Sequence, residues 1–177
     1  MDMKTRRFQH LVNQHKDLVY SQAYYFTGNK EDAEDITQEV LLKLWHYLDA
    51  VKGKAARTWL MKVTRHACID HSRKHREQSF SEFEPETQRQ ILNRTRDCHH
   101  DPEQLMISDD LLQQGLKRLP GNLRHIVIMR EIQDYPYHLI AESMDLPLNT
   151  VKVYLHRGRK LLAQYLNTHC DEKMLAE

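Results

Sequence analysis

The sequence has no run of apolar residues close to the roughly 18 to 20 that a membrane-spanning helix requires. Its mean hydropathy is −0.74, and 29% of its residues are charged. The first residues lead into an amphipathic stretch and not into a continuous apolar segment, so no secretory signal is legible. We therefore expect a soluble protein, located in the cytoplasm and without membrane insertion.

Cysteine and glycine are both scarce. The three cysteines, Cys68, Cys98 and Cys170, form no Cys-x-x-Cys pair, which argues against a disulfide scaffold and against a four-thiolate zinc site. Only 5 glycines occur, with no Asn-Gly or Asp-Gly hairpin signal and no alternating β-branched run. These absences disfavour a sheet-rich fold. The 177 residues suffice for one domain or two small ones, and we predict an all-α protein.

Charge is nearly balanced over the chain, at a formal +1, but it is divided into blocks. Residues 31–49 carry six acids and one lysine, for a net charge of −5. Residues 52–76 carry eight lysines and arginines and one aspartate, for a net charge of +7. Residues 97–110 are again acidic, and residues 149–165 hold four basic residues and no acid. Two separate basic blocks suit a polyanion that is bound at two places.

Apolar residues at helical spacing predict a first bundle over residues 1–77. Its helices are expected over residues 8–26, 32–47 and 58–76, with a stop at Gly28 and a cap at Asn29 or Asp32. Residues 78–104 contain Pro85 and Pro102 and few apolar residues, which predicts a flexible linker.

A second helical bundle is predicted over residues 105–177. A helix is expected from after Pro102 to Leu119, and further helices over 122–132, 137–144 and 150–166. Ala141, Asp145 and Val151 have the spacing of a helix-turn-helix: a small residue where two helices cross, a turn residue that tolerates left-handed backbone, and an apolar anchor. On the helix that follows, Lys152 and its basic neighbours are expected outside, where they are available for phosphates and base edges.

Three ordered motifs resemble the sigma-70 family of bacterial sigma factors, in the extracytoplasmic-function class that keeps only regions two and four. DAEDITQEVLLKLW, residues 32–45, resembles the region-two signature, and TWLMKVTRHACIDHSR, residues 58–73, resembles the segment that opens and reads the promoter. Leu119-Pro120, Arg130-Glu131 and residues 140–160 resemble region four. The resemblance spans nearly the whole chain, and it implies a dissociable initiation factor that binds core RNA polymerase and directs it to promoters.

The resemblance also implies residue roles. The second helix would dock on a coiled coil of the polymerase β′ subunit through Asp32, Asp35, Gln38 and Glu39. The third helix would hold an unstacked base of the minus-ten element and its flanking phosphates; the candidates are Trp59, Lys62, Arg65, His66, Asp70 and Arg73. The last helix would read the minus-thirty-five element; the candidates are Thr150, Lys152, Tyr154, His156, Arg157, Arg159 and Lys160.

Partners follow from the same resemblance: core RNA polymerase with its β′ and β subunits, promoter DNA and an anti-sigma factor. No cofactor is expected. His66 stands where asparagine is common in the family, and Val153 and Tyr154 stand where serine and arginine are frequent, so the preferred promoter sequence is expected to differ.

Other functions are disfavoured by the motifs. No phosphate loop, GxSxG elbow or HExxH sequence is present, so no catalytic residue is predicted. Cys98, His99 and His100 have ligand types that suit zinc or copper, but their spacing predicts no metal site and leaves a response to metal or redox state open. The alternative is a helix-turn-helix regulator whose N-terminal bundle senses a signal or dimerises; such a bundle has no need of an acidic helix followed by a strongly basic one.

Overall fold

Three helices form the N-terminal half in a computed structural model that describes residues 2–78 and 108–174. They are α1 (Met3–Thr27), α2 (Lys30–His46) and α3 (Ala56–Gln78), with a 3-10 turn over Gly53–Ala55 before α3. Gly28 ends α1 as predicted, because its φ of 67° is left-handed backbone that glycine adopts without strain. The side chain of Asn29 caps α2 by accepting a hydrogen bond from the Asp32 amide at 3.2 Å.

An apolar core lies between these three helices. The inward stripe predicted for α2 is confirmed, since Ile36, Val40, Leu44 and Leu48 are all buried. The buried residues that face them from α1 and α3 are Leu11, Val19, Ala23, Phe26, Leu60, Met61, Ala67 and Cys68. Burial raises the pKa of the Cys68 thiol, which therefore stays protonated and packs as a small apolar side chain.

Four helices form the C-terminal half. They are α4 (Asp109–Arg118), α5 (Gly121–Val127), α6 (Tyr137–Met144) and α7 (Leu148–Met174). Helix α5 continues as a π-helical turn over Ile128–Ile132, so the helix predicted over residues 122–132 is present with a change of pitch. Residues 2–78 and 108–174 contain no strand, and the all-α prediction is confirmed.

Helix α4 begins at Asp109, later than the expected start after Pro102. Ser108 fixes this start because its hydroxyl accepts a hydrogen bond from the Leu111 amide at 3.4 Å. Asp109 and Asp110 then complement the positive end of the helix dipole. The linker predicted over residues 78–104 lies almost wholly outside the described residues, so the linker and the domain limits stay predictions.

The two halves pack against each other along α1, and their buried apolar residues form one continuous cluster. The Arg124 guanidinium donates a hydrogen bond to the Phe26 carbonyl at 2.9 Å. The Gln133 amide donates to the Leu18 carbonyl at 2.9 Å. We call this contact the seam; it is formed by Leu18, Gln22, Phe26, Arg124, His125 and Gln133.

Helices α5 and α7 cross closely at Gly158. A Cβ atom at this position would lie 2.6 Å from Val127 Cγ2 and 3.6 Å from the Leu123 carbonyl oxygen. Gly158→Ala should therefore lower the free energy of unfolding by about 1 to 3 kcal/mol, as overpacking of a core does. Urea unfolding followed by circular dichroism measures the change.

Gly53→Ala is the matched control, because nothing lies within 4 Å of a Cβ atom at Gly53. It should change the free energy of unfolding by no more than about 0.5 kcal/mol. Equal stability of the Gly158→Ala protein and the unsubstituted chain would contradict the close crossing.

Candidate nucleic-acid and partner interface

Helix α2 exposes an acidic face. Asp35, Gln38 and Glu39 are all exposed, and Glu39 pairs with Lys43 at 2.6 Å. Asp32 differs from the other predicted docking residues, because its carboxylate lies 3.1 Å from the His71 ring of α3. The structure therefore brings three of the four residues together on one open surface and turns the fourth toward α3.

Leu42 is an apolar residue on this face that the sequence analysis did not single out. Its side chain is 61% exposed, although leucine is usually buried in a helix of this kind. It follows Gln38 by four residues and Glu39 by three, which places it beside them on the helix surface. Leu42 does not belong to the inward stripe of α2, and this spacing was the signal in the sequence that its side chain is exposed. Leu42 therefore adds one exposed apolar side chain to the acidic face of α2.

The predicted minus-ten residues of α3 fall into two groups. His66, Asp70 and Arg73 are exposed along the outer side of the helix. Lys62 and Arg65 are half-buried, because side chains of the C-terminal half lie against them. The basic residues predicted for the minus-ten surface thus lie along α3, but only those nearer its C-terminal end, His66 and Arg73, are open to solvent.

Trp59 is partly buried and packs against the core, so it has a structural role whether or not it also contacts DNA. Its ring centroid lies 6.2 Å from that of Tyr47, with the planes tilted by 52°. Tyr47 is 58% exposed. The sequence analysis did not identify it as a candidate for DNA contact, because it follows the last turn of α2. Tyr47 therefore offers the more accessible aromatic ring of the pair.

The helix-turn-helix spacing of the C-terminal half is confirmed. Asp145 ends α6 with φ 53° and ψ 43°, the left-handed backbone that the spacing required. The Leu146 amide donates to the Ala141 carbonyl at 3.0 Å, which closes the turn. Val151 is fully buried and anchors α7 to the core.

Helix α7 presents one open face at its N-terminal end. Lys152, Val153 and His156 are exposed, while Val151, Leu155 and Gly158 are buried behind them. Val153 is 47% exposed, which makes it the outward apolar residue that the sequence analysis noted only as a departure from the family. An exposed valine between a lysine and a histidine is suited to contact a thymine methyl group.

Of the other predicted residues of α7, Arg159 is also exposed but is paired with a carboxylate, and the rest are half-buried. Tyr154 is half-buried and packs against the core, and Arg159 donates to the Glu131 carboxylate at 2.6 Å. Thr150, Arg157 and Lys160 are half-buried at the margins of the open face. Lys152, Val153 and His156 therefore form its centre.

His125 is fully buried in the seam, where its ring stacks on Phe26 with centroids 4.1 Å apart. Its Nδ1 lies 3.3 Å from the Gln22 amide nitrogen, and its Nε2 has no hydrogen-bond partner. Burial lowers the pKa of His125 well below 6.5, and the charges of Arg65, Arg124 and His66 act in the same direction. The imidazole is therefore neutral in the folded protein at neutral pH.

No group of three His, Cys, Asp or Glu side chains in the described part of the chain is placed to hold a metal ion. Cys98, His99 and His100 lie outside that part, so the prediction that they form no metal site is untested. Within residues 2–78 and 108–174, no helix is both long and apolar enough to cross a membrane.

Two profiles of one protein family match the chain, in order. The profile described as Sigma-70 region 2 matches residues 11–78, and the profile described as Sigma-70, region 4 matches residues 109–162. The chain belongs to the sigma-70 family of RNA polymerase sigma factors. Region two contains α2 and α3 with their opposite charges, and region four contains the helix-turn-helix.

Similar proteins place this sigma factor in the extracytoplasmic-function (ECF) class. The chain is 33% identical over 165 residues to ECF RNA polymerase sigma factor SigE of Mycolicibacterium smegmatis, across 92% of this chain and 62% of SigE. It is 27% identical over 165 residues to ECF RNA polymerase sigma factor SigW of Bacillus subtilis, across 90% of this chain and 88% of SigW. The chain thus spans less than two thirds of SigE and most of SigW.

Solved structures share the fold. The sigma factor RpoE from Bartonella quintana, crystallised with the anti-sigma factor NepR, superposes with a TM-score of 0.67 at 20% identity, across 90% of this chain and 96% of RpoE. CnrH, solved in complex with the cytosolic domain of CnrY, gives a TM-score of 0.67 at 21% identity, across 93% of this chain and 90% of CnrH. The arrangement of helices is therefore shared although only 20% and 21% of the residues are identical.

The neutral His125 makes stability depend on pH. Its pKa is lowered in the folded state, so below about pH 6.5 the unfolded chain binds a proton that the folded chain does not, and stability falls as the pH falls. This contribution is at most about 1.4 kcal/mol per pH unit and stops at the folded pKa. Urea unfolding from about pH 7.5 to about pH 5.5 measures the slope.

His125→Gln is the informative variant, since it removes the titrating group and leaves the other histidines in place. It should reduce the slope whatever its effect on absolute stability, and a smaller slope of the same sign should remain because burial also lowers the pKa of His15. An equal slope in both proteins would show that His125 is not held neutral in the seam.

Proposed function

We propose that this sigma factor binds core RNA polymerase through α2 and directs it to promoters that α3 and α7 recognise. The observation that carries the proposal is the pairing of an open acidic face and a row of cations on adjacent helices of region two. A regulator with a sensor bundle would need neither surface. The match of the N-terminal half to region two also disfavours that alternative.

Docking is proposed to involve Asp35, Gln38, Glu39 and Leu42 on α2, against a basic coiled coil of the β′ subunit. Exposed carboxylates steer a basic partner and fix its register, and Leu42 adds one apolar side chain to the contact. Asp32 holds His71 of α3 and so supports the geometry of the surface from behind. Further contacts with the β subunit belong to the same proposal.

Promoter recognition is divided between two surfaces. Helix α3 would bind the melted minus-ten element with Lys62, Arg65, His66 and Arg73 on phosphates, and Tyr47 supplies an accessible ring for stacking. Helix α7 would enter the major groove of the minus-thirty-five element with Lys152, Val153 and His156 at its centre. Asp70 and Trp59 would line the minus-ten surface, and Tyr154 would support α7 from the core.

The family is not a class of enzymes, and we propose that this chain acts by binding alone, in the cytoplasm. An anti-sigma factor is proposed as a regulatory partner. The support is the likeness to RpoE, which was crystallised with the anti-sigma factor NepR.

Reversing charge on α2 tests the docking surface. The double variant Asp35→Lys/Glu39→Lys should weaken binding to core RNA polymerase by about tenfold or more, because two attractive contacts become like-charge contacts. A titration of labelled protein with sigma-free core polymerase measures the affinity, and circular dichroism checks the fold.

The matched control is Asp17→Lys/Glu142→Lys, which makes the same charge change at exposed positions on α1 and α6. It should leave the affinity for core polymerase within about twofold. Similar losses in both double variants would assign the effect to net charge and would reject α2 as the docking site.

Neutralising one lysine tests the duplex-reading surface. Lys152→Gln should weaken binding to duplex DNA and lower the slope of log K against log salt concentration by about 0.9, the value for one phosphate contact. Fluorescence anisotropy of a labelled duplex at several salt concentrations gives the slope. Lys30→Gln, an exposed lysine at the start of α2, should leave it unchanged; equal slopes for both variants would place Lys152 outside the interface.

A further inference from the structure

The N-terminal part of α3 is occupied by the C-terminal half of the same chain. The guanidinium carbon of Arg57 lies 4.2 Å from the ring centroid of Tyr135. The ammonium group of Lys62 lies 2.8 Å and 2.7 Å from the two carboxylate oxygens of Asp145. We call these two contacts, together with the contact of Arg65 on Asn122, the α3 cover.

Arg65 completes the cover further along the helix. Its guanidinium donates to the side-chain oxygen of Asn122 at 3.4 Å, at the start of α5. Cations from three successive turns of α3 therefore find their partners on the C-terminal half. Lys62 and Arg65 are two of the cations in the proposed minus-ten surface.

Asp145 occupies the place that a phosphate would take. Both of its oxygens accept from one lysine, and the charges of Arg65 and His66 also lower the pKa of its carboxyl group. The turn between α6 and α7 brings Asp145 beside Lys62, so its carboxylate lies opposite the basic helix.

The cover is made of contacts that water and salt can reach. The side chains of Lys62 and Asp145 are 39% and 62% exposed. Exposed ion pairs contribute little to stability and weaken as salt is added. A strand of nucleic acid, which offers many phosphates along its length, competes well against a single carboxylate.

We propose that in the free protein the C-terminal half covers the N-terminal part of α3, and that single-stranded DNA must displace Asp145 from Lys62 before it binds there. The inference rests on the proposed DNA-binding role of α3. It adds that the free chain restrains its own minus-ten surface, while Lys152, Val153 and His156 of α7 stay exposed. The two DNA surfaces are therefore not equally available in the unbound protein.

Zero-length coupling with a carbodiimide tests the closed contact directly, because it joins an amine to a carboxylate only when the two groups touch. The free monomer should give a cross-linked peptide pair that joins Lys62 to Asp145, identified by mass spectrometry. An excess of short single-stranded DNA of mixed sequence should deplete this pair. Absence of the pair in the free protein, or an unchanged yield with DNA, would overturn the proposal.

Asp145→Asn tests the competition. Asparagine tolerates left-handed backbone, so the variant removes the charge and keeps the turn. Its affinity for a short fluorescein-labelled single-stranded DNA should rise by about two- to fivefold, the range set by one exposed ion pair. Anisotropy titrations at low salt measure the change.

Asp134→Asn is the matched control. Asp134 is also an exposed aspartate in left-handed backbone, with φ 50°, and it pairs with Arg130 of its own half at 2.9 Å. The two variants change the net charge equally, but only Asp145 touches α3. An equal gain of affinity in both would overturn the proposal, since net charge would then explain it.

The double variant Lys62→Gln/Asp145→Asn separates the proposed DNA-binding role of α3 from the proposed α3 cover. If it weakens DNA binding while the unsubstituted protein gives no Lys62–Asp145 cross-link, the DNA-binding role of α3 stands and the cover is rejected. If the cross-link forms but Lys62→Gln leaves the affinity for DNA unchanged, the DNA-binding role of Lys62 fails and the proposed competition fails with it, although the halves are packed together.

Discussion

The joint between the two halves is built around a buried, uncharged His125. The ring lies fully buried on Phe26 of α1, and two guanidinium groups and a second imidazole nearby disfavour a proton on it. A neutral imidazole stacks well on a phenyl ring and completes one apolar cluster that runs through both halves. Helix α1 belongs to region two and also carries one side of the seam, so this contact, together with those of Lys62 and Arg65 on the C-terminal half, sets the position of the helix-turn-helix relative to α3.

The acidic surface of α2 and the basic surfaces of α3 and α7, which are proposed to bind different partners, lie on different helices. The acids of α2 and the cations of α3 share one small bundle but face apart, and Asp32 with His71 joins the two helices behind them. Helix α7 carries a further exposed cation, Lys152, on the open face of its N-terminal end. Such a division allows a small protein to hold a polymerase and a polyanion together without repulsion between the two contacts.

Local features of the fold could be predicted from the sequence. The inward stripe of α2, the stop at Gly28 and the left-handed turn at Asp145 each depend on residues within one or two helical turns. The start of α4 differs from the prediction, because Ser108 caps the helix several residues after the expected start.

Contacts between distant residues could not be predicted. Lys62 and Asp145 are 83 positions apart, and no pattern in the sequence links them. The outward position of Val153 could have been predicted, because Val153 follows the anchor Val151 by two residues and Tyr154 follows it by three, which puts Tyr154 and not Val153 on the face of the anchor. The sequence therefore predicted sets of candidate residues. The fold was needed to show which members of each set are accessible to solvent.

The most direct measurement is transcription in vitro from genomic DNA by core RNA polymerase with and without this protein, with the 5′ ends of the transcripts sequenced. A sigma factor should produce discrete start sites that share upstream elements and that disappear when the protein is omitted. Identical transcripts with and without the protein, together with a shift of duplex DNA by the protein alone, would contradict the assignment and favour a regulator that binds DNA without polymerase.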